Sequence, residues 1–269
     1  MRLRAHRVLA LTAGSAALLA CASCSSGTTI GPGIVSGTPN AEAAKDAGSI
    51  FADSIAAMAK ATSVHLKGPL AGIFFDADVG KGNFTGTADQ GGKVFNIVYL
   101  ADPGGVATKA RIFIKAPAAV WAAASSPAIG ACVGGAWLTL DPATSGASSP
   151  SPTGAARLTA DAGQLGDLAS FANALGTSPG VLTKGATGTA DGTPVIAIKS
   201  DSGASVFVAT AGPPYLLRLS GISSGQAQSV EFTNWNGGAQ FTAPTGARPL
   251  TTVLAGCPSP ATPGPTPTP

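Results

Sequence analysis

The sequence predicts an α+β domain in which antiparallel strands and hairpins pack with two amphipathic helices. Three observations predict it. Apolar residues recur at helical spacing in two stretches, and most of the remaining chain alternates with period two between Gly, Asp and Pro breaks. Several of the strand-like runs are also apolar on both faces.

The first helix is predicted over 43–62, where Ala47, Ile50, Phe51, Ile55 and Met58 form a stripe and Asp46, Asp53 and Lys60 lie largely off it. A second is predicted over 160–175 from Leu165, Leu168, Ala169, Ala172 and Leu175, with Thr159 as N-cap and Gly176 as stop. Strands are predicted over 64–75, 81–88, 93–100, 108–116, 136–140, 181–190, 194–199, 205–210, 215–221, 229–236 and 239–242. A local echo, Gly86-Thr87-Ala88-Asp89 and Gly188-Thr189-Ala190-Asp191, precedes a turn and an apolar strand each time; it marks either two related hairpins or chance.

In the third of these strands Val94, Val98 and Leu100 oppose Phe95, Ile97 and Tyr99. Val206 and Val208 likewise oppose Phe207, and Leu217 and Leu219 oppose Leu216. An antiparallel sheet usually wets one face, so something covers both here. Two helices can take one face, which leaves the other to a second sheet, a long loop or a bound apolar ligand; a simple filled core is the alternative.

The N-terminus is an export signal. Arg2, Arg4 and Arg7 precede an apolar and small-residue run from Val8 to Ala20, about 13 residues and too short for the roughly 20 that a membrane span needs. Leu18-Leu19-Ala20-Cys21 then resembles the lipobox of bacterial lipoproteins, which makes Cys21 the expected lipidation site. Cys24 is the rival acceptor, because Ser25-Ser26-Gly27 follows it, but Cys21 itself stands where an aliphatic residue belongs. The alternative is an ordinary secreted protein. Acyl chains on such a cysteine would hold the chain to the outer face of the cytoplasmic membrane, each buried methylene contributing about 0.8 kcal/mol.

The expected organisation is a signal peptide over 1–20, a flexible Gly/Ser/Thr/Pro tether over 21–42, the domain over 43–249 and a Pro-rich disordered tail over 250–269. A Ser/Pro/Gly cluster at 145–154 reads as a surface loop. Three of the 16 Lys and Arg lie in the leader and none of the 13 Asp and Glu do, so the rest of the chain is neutral. That excludes the basic stripe of a nucleic-acid binder. Cys132 and Cys257, far from the leader, are expected to pair in an oxidising compartment, with two free thiols as the alternative.

Catalytic patterns are missing. His65 is the only histidine after the leader, which leaves one candidate for a Ser/His/Asp triad, and there is no H-E-x-x-H. Asp76-Ala77-Asp78-Val79-Gly80 starts like a calcium loop, yet Gly80 stands at a ligand position and Thr87 where the bidentate Glu belongs. Gly91-Gly92-Lys93 lacks the spacing of a phosphate loop. Beyond Cys21-Ala22-Ser23-Cys24, which belongs to the lipidation region, no Cys-x-x-Cys supports a metal. The reading is therefore a non-enzyme with no cofactor and no metal.

The order of segments carries a resemblance. After the helix come Ala61-Thr62-Ser63-Val64-His65-Leu66-Lys67-Gly68 and strands leading to Trp137. Near the end come Pro214-Tyr215-Leu216-Leu217-Arg218-Leu219, Val230-Glu231-Phe232-Thr233-Asn234-Trp235-Asn236 and then Pro244. This order resembles the LppX/LprAFG family of mycobacterial-type lipoproteins over most of 43–249. The resemblance implies a strongly curved antiparallel sheet, a half-barrel, packed with helices around an apolar cavity that holds acyl chains. It implies a carrier or presenter of phospholipids or acylated glycolipids in the cell envelope, with an envelope transporter as a further partner. Hiding roughly 30 methylenes asks for on the order of 20 kcal/mol of apolar burial, which the two-faced strands fit. No motif carries lining residues over; the aliphatic side chains of Ile97, Ile112, Ile114, Ile198 and Val208 are the expected lining. The chain departs from the family in its Pro-rich tail, in Cys132 and Cys257, and in the Ser/Pro insertion near Ser148. The competing reading is a non-catalytic envelope module with a filled core, binding a protein or cell-wall partner through exposed Trp121, Trp137 or Trp235.

Overall fold

The computed structural model describes residues 38–70, 72–102, 110–140, 166–177, 179–223 and 226–258. The signal peptide, Cys21, Cys24, the 145–154 cluster and the chain after 258 lie outside the described residues.

The apolar stripe forms α1 (Ala47–Lys60), which starts later than expected because Glu42–Ala44 make a separate short 3-10 turn. The Asp46 carboxylate accepts from Ser49 N at 3.0 Å and caps the helix, and Lys60 lies in the last turn beside the negative end of the helix dipole. Two strands, β1 (Ser63–Leu70) and β2 (Ile73–Gly80), occupy the span expected to begin with one. A turn at Gly72 divides them. Then follow β3 (Asn83–Gln90), β4 (Lys93–Leu100) and β5 (Arg111–Lys115). Gly91 and Gly92 form the two-residue turn between β3 and β4, with φ of 63° and 82°, conformations that a two-residue hairpin asks of both central positions.

Two helices that no sequence pattern announced come next: α2 (Ala118–Ala124) and α3 (Pro127–Val133), the latter capped by Ser126 with Pro127 in its first turn. After β6 (Leu138–Leu140) the next described helix is α4 (Leu168–Gly176). Its N-cap is Asp167, which accepts from Ala169 N and Ser170 N. Thr159 and the predicted start at 160 lie outside the described residues, and Asp167 caps the helix that is described.

The second meander is β7 (Leu182–Ala190), β8 (Thr193–Ser200), β9 (Ser205–Ala209), β10 (Leu216–Ser223) and β11 (Gln226–Thr233). The β7–β8 turn is Asp191-Gly192, at φ 48° and 79°. Both echoed segments thus end in two-residue hairpins, but Asp89 sits in the strand and Asp191 in the turn, so they are not structural equivalents. Residues 239–242 form no strand. They belong to an irregular strap that leads to β12 (Arg248–Pro249) and α5 (Leu250–Ala255). The packed chain therefore runs past Pro249 into the span read as tail, where Cys257 is bonded to Cys132 of α3 across a Cα–Cα distance of 5.8 Å.

Among the described residues all strands join one open sheet in the order β12-β6-β5-β4-β3-β2-β1-β11-β10-β9-β8-β7, antiparallel except for β12 on β6. The architecture is α+β. The register separates two apolar clusters by face. The larger takes Leu66, Phe75, Phe84, Ile97, Ile198 and Phe232, among others, from one face and adds Ile50 and Met58 of α1, Trp121, Val133, Leu168 and Val253 from the other helices. The smaller uses the opposite face of β4 and β5, where Val98, Leu100 and Phe113 pack under Phe241, Ala247 and Trp137. A long loop is thus what covers Val98 and Leu100 on the second face of β4, while Val94 beside the β3–β4 turn stays exposed. At β9 the task falls to a charge: the Arg218 guanidinium lies 5.9 Å from the Phe207 ring centroid. Leu216 and Leu219 turn out to share one face, because a bulge at the start of β10 shifts the register between Leu216 and Arg218.

Candidate functional site

The helix-bearing face is the candidate site. Strand pairing sets Ile97 opposite Ile114 and Ile112 opposite Tyr99 in β4–β5, and Ile198 opposite Val206 and Ile196 opposite Val208 in β8–β9. Followed through the intervening registers, Ile97, Ile112, Ile114, Ile198 and Val208 all lie on this face, in two groups on opposite sides of the central strands. Each is buried, from 4% exposed at Ile112 to 0% at Val208. Helices flank the two groups differently. α1 packs on α4 and across β7 to β10, while α2 packs on α3, and α5 on α3 and β6. Gly130 and Gly134 let α2 and α3 approach closely: a Cβ at Gly130 would lie 2.5 Å from the Ala118 carbonyl oxygen.

The tryptophans are not free contacts. Trp121 is 4% exposed. Trp137 packs in the smaller cluster, and Trp235 stacks on Tyr215 at 4.6 Å between centroids while its Nε1 donates to the Leu216 carbonyl at 3.1 Å. An aromatic chain continues from Trp235 through Phe232 to Phe171 of α4. The expectation of exposed tryptophans is corrected for Trp121, buried in α2; Trp137 and Trp235 are half-buried, packed in the smaller cluster and against Tyr215.

The opposite face carries the charges. His65 lies 3.0 Å from Asp78 and 3.2 Å from Asp76, and Lys67 reaches Asp76 at 2.7 Å. The Lys67 ammonium, chiefly through its hydrogen bond, holds the Asp76 carboxyl below the usual range, against the opposing effect of partial burial. Asp76 and Asp78 stand in the extended β2 ladder, so the calcium-loop pattern has no loop to act in. Among the described residues no group of three or more His, Cys, Asp or Glu could hold a metal ion. Among them, too, no helix is long and apolar enough to cross a membrane.

Where the predicted tether meets the domain, Asn40 clamps the turn before β10. Its Nδ2 donates to the carbonyls of Ala209 and Gly212 at 3.0 and 2.9 Å, and its backbone N donates to Thr210. Composition gave no sign of this, because one Asn in a polar stretch looks like any other tether residue.

No protein-family model matches the chain, and no curated protein does. Among solved structures it is similar to LprF from Mycobacterium bovis, at 16% identity and a TM-score of 0.48, over 78% of this chain and 100% of that one. It is also similar to the lipoprotein LppX from Mycobacterium tuberculosis, at 17% identity and a TM-score of 0.42, over 73% of this chain and 98% of that one.

Proposed function

We propose that the chain is a lipoprotein, anchored through Cys21 to the outer face of the cytoplasmic membrane, that binds acyl chains of phospholipids or acylated glycolipids and carries or presents them in the cell envelope. The observation that carries this reading is the continuity of apolar side chains on one face of the sheet, from Leu138 of β6 to Ile198 of β8. An acyl chain needs such a surface, curved into a cavity, and needs no charge along it. Export and lipidation, read from Arg2 to Cys21, would bring that surface to the membrane at high effective concentration. An envelope transporter would be the receiving or donating partner.

One observation favours a second reading, a non-catalytic module with a filled core: the five expected lining residues are buried by the protein's own atoms. Native mass spectrometry followed by organic extraction, on the chain expressed in a related host, separates the two. A bound species with one or more acyl chains supports the carrier. A clean apo mass, with no uptake of a fluorescent phospholipid, supports the module.

A further inference from the structure

Among the described residues, four buried side-chain polar atoms have no hydrogen-bond partner: Glu42 Oε2, Ser63 Oγ, Trp121 Nε1 and Arg218 Nε. Three have polar company or freedom. The other Glu42 oxygen accepts from Lys45 Nζ at 2.6 Å, Arg218 donates to Glu231 at 3.2 Å, and the Ser63 hydroxyl can rotate at a strand end. Trp121 differs. It is the one buried residue of α2, and it belongs to the apolar cluster that also holds Ile97, Ile114, Val133 and Leu138.

A buried donor left unpaired loses its hydration with nothing in exchange. Trp121→Phe would keep most of the apolar area without that cost, so an indole at this position asks for an acceptor. A lone water needs about two to four polar partners, and the side chains that cluster with Trp121 offer none. An ionised acceptor would itself be costly to bury there. What remains is a neutral acceptor attached to long apolar chains.

We propose that the Trp121 indole N–H donates to the carbonyl oxygen of an acyl ester, so that it fixes where the ester of a bound lipid stops while the hydrocarbon continues over Ile97 and Ile114. This rests on the lipid-binding reading above and adds a chemical requirement to it: the ligand is an ester, and an ether-linked lipid of equal length loses the contact.

The test uses the full chain in dodecyl maltoside, with 15N-labelled tryptophan, titrated with a diacyl phospholipid and with its dialkyl ether analogue. The expected result is that the diacyl lipid moves the Trp121 indole resonance downfield and binds W121F roughly 3- to 10-fold more weakly than wild type. The ether analogue binds both proteins equally. If both lipids bind wild type and W121F alike and the indole resonance stays in place, the proposal is overturned while lipid binding stands. If neither lipid binds either protein, the lipid-binding reading fails and the ester contact with it. The indole resonance of the wild type decides the matter even if W121F does not fold.

Discussion

Replacing both Cys132 and Cys257 with Ser removes a covalent link between residues 125 apart in sequence. In the chain-entropy model a loop of that size stabilises the fold by about 5 kcal/mol, through restriction of the unfolded chain. For a domain of this size the loss is a drop in Tm of about 10–20 °C. The structure qualifies how it appears. α5 buries only Val253, with Leu250 and Leu254 packed against the core, so its six residues can detach before the sheet does. The double Ser variant should therefore show fast amide exchange through 250–257 and, in urea, a lowered midpoint with a smaller m-value if α5 is already free. Urea unfolding with and without dithiothreitol, read by far-UV circular dichroism, measures both. A stability change below about 1 kcal/mol with unchanged exchange in α5 would refute the reasoning.

Three other perturbations are direct. A Cβ at Gly80 would lie 2.6 Å from the Phe241 ring, so Gly80→Ala should cost about 1–3 kcal/mol by lifting the strap; faster exchange at 238–247 is the check. A chain started at Ala43 loses the Asn40 clamp and should be about 1–3 kcal/mol less stable in urea than one started at Gly33. Because the folded Asp76 carboxyl titrates below its unfolded value, its contribution is present above the unfolded pKa near 3.9 and is lost as pH falls through the folded one. Its half-exposed setting keeps that contribution under about 1 kcal/mol. Asp76→Asn should flatten the stability profile below pH ~4, as followed by urea midpoints.

How much was legible depended on whether a local pattern had a long-range competitor. β4 forms over Lys93–Leu100 as its largely apolar run and the preceding Gly91-Gly92 require, and the α1 stripe buries Ile50 and Met58. α2 and α3 gave no stripe because their Ala and Gly content serves close helix approach rather than a broad apolar face. Phe241 and Thr242 look like strand residues, yet Phe241 is held by the bare Gly80 backbone and the β4–β5 cluster, contacts that no local window contains. The five aliphatic residues share a face because register, not sequence spacing, aligns β4 and β5 with β8 and β9. Trp121 was visible only as an aromatic; its unpaired N–H is a property of the packed interior.

α1 leads directly into β1, but it packs on α4 and across β7 to β10, elements that follow it by more than 100 residues. A chain threaded through a membrane pore from its N-terminus therefore delivers this helix long before its docking surface exists. The first six strands can pair locally as they emerge, while α1 waits, greasy and unpartnered, for the second meander. Under the export proposed above, completion of the fold is tied to completion of transport, and the interval between them is when an extracytoplasmic chaperone would have something to hold.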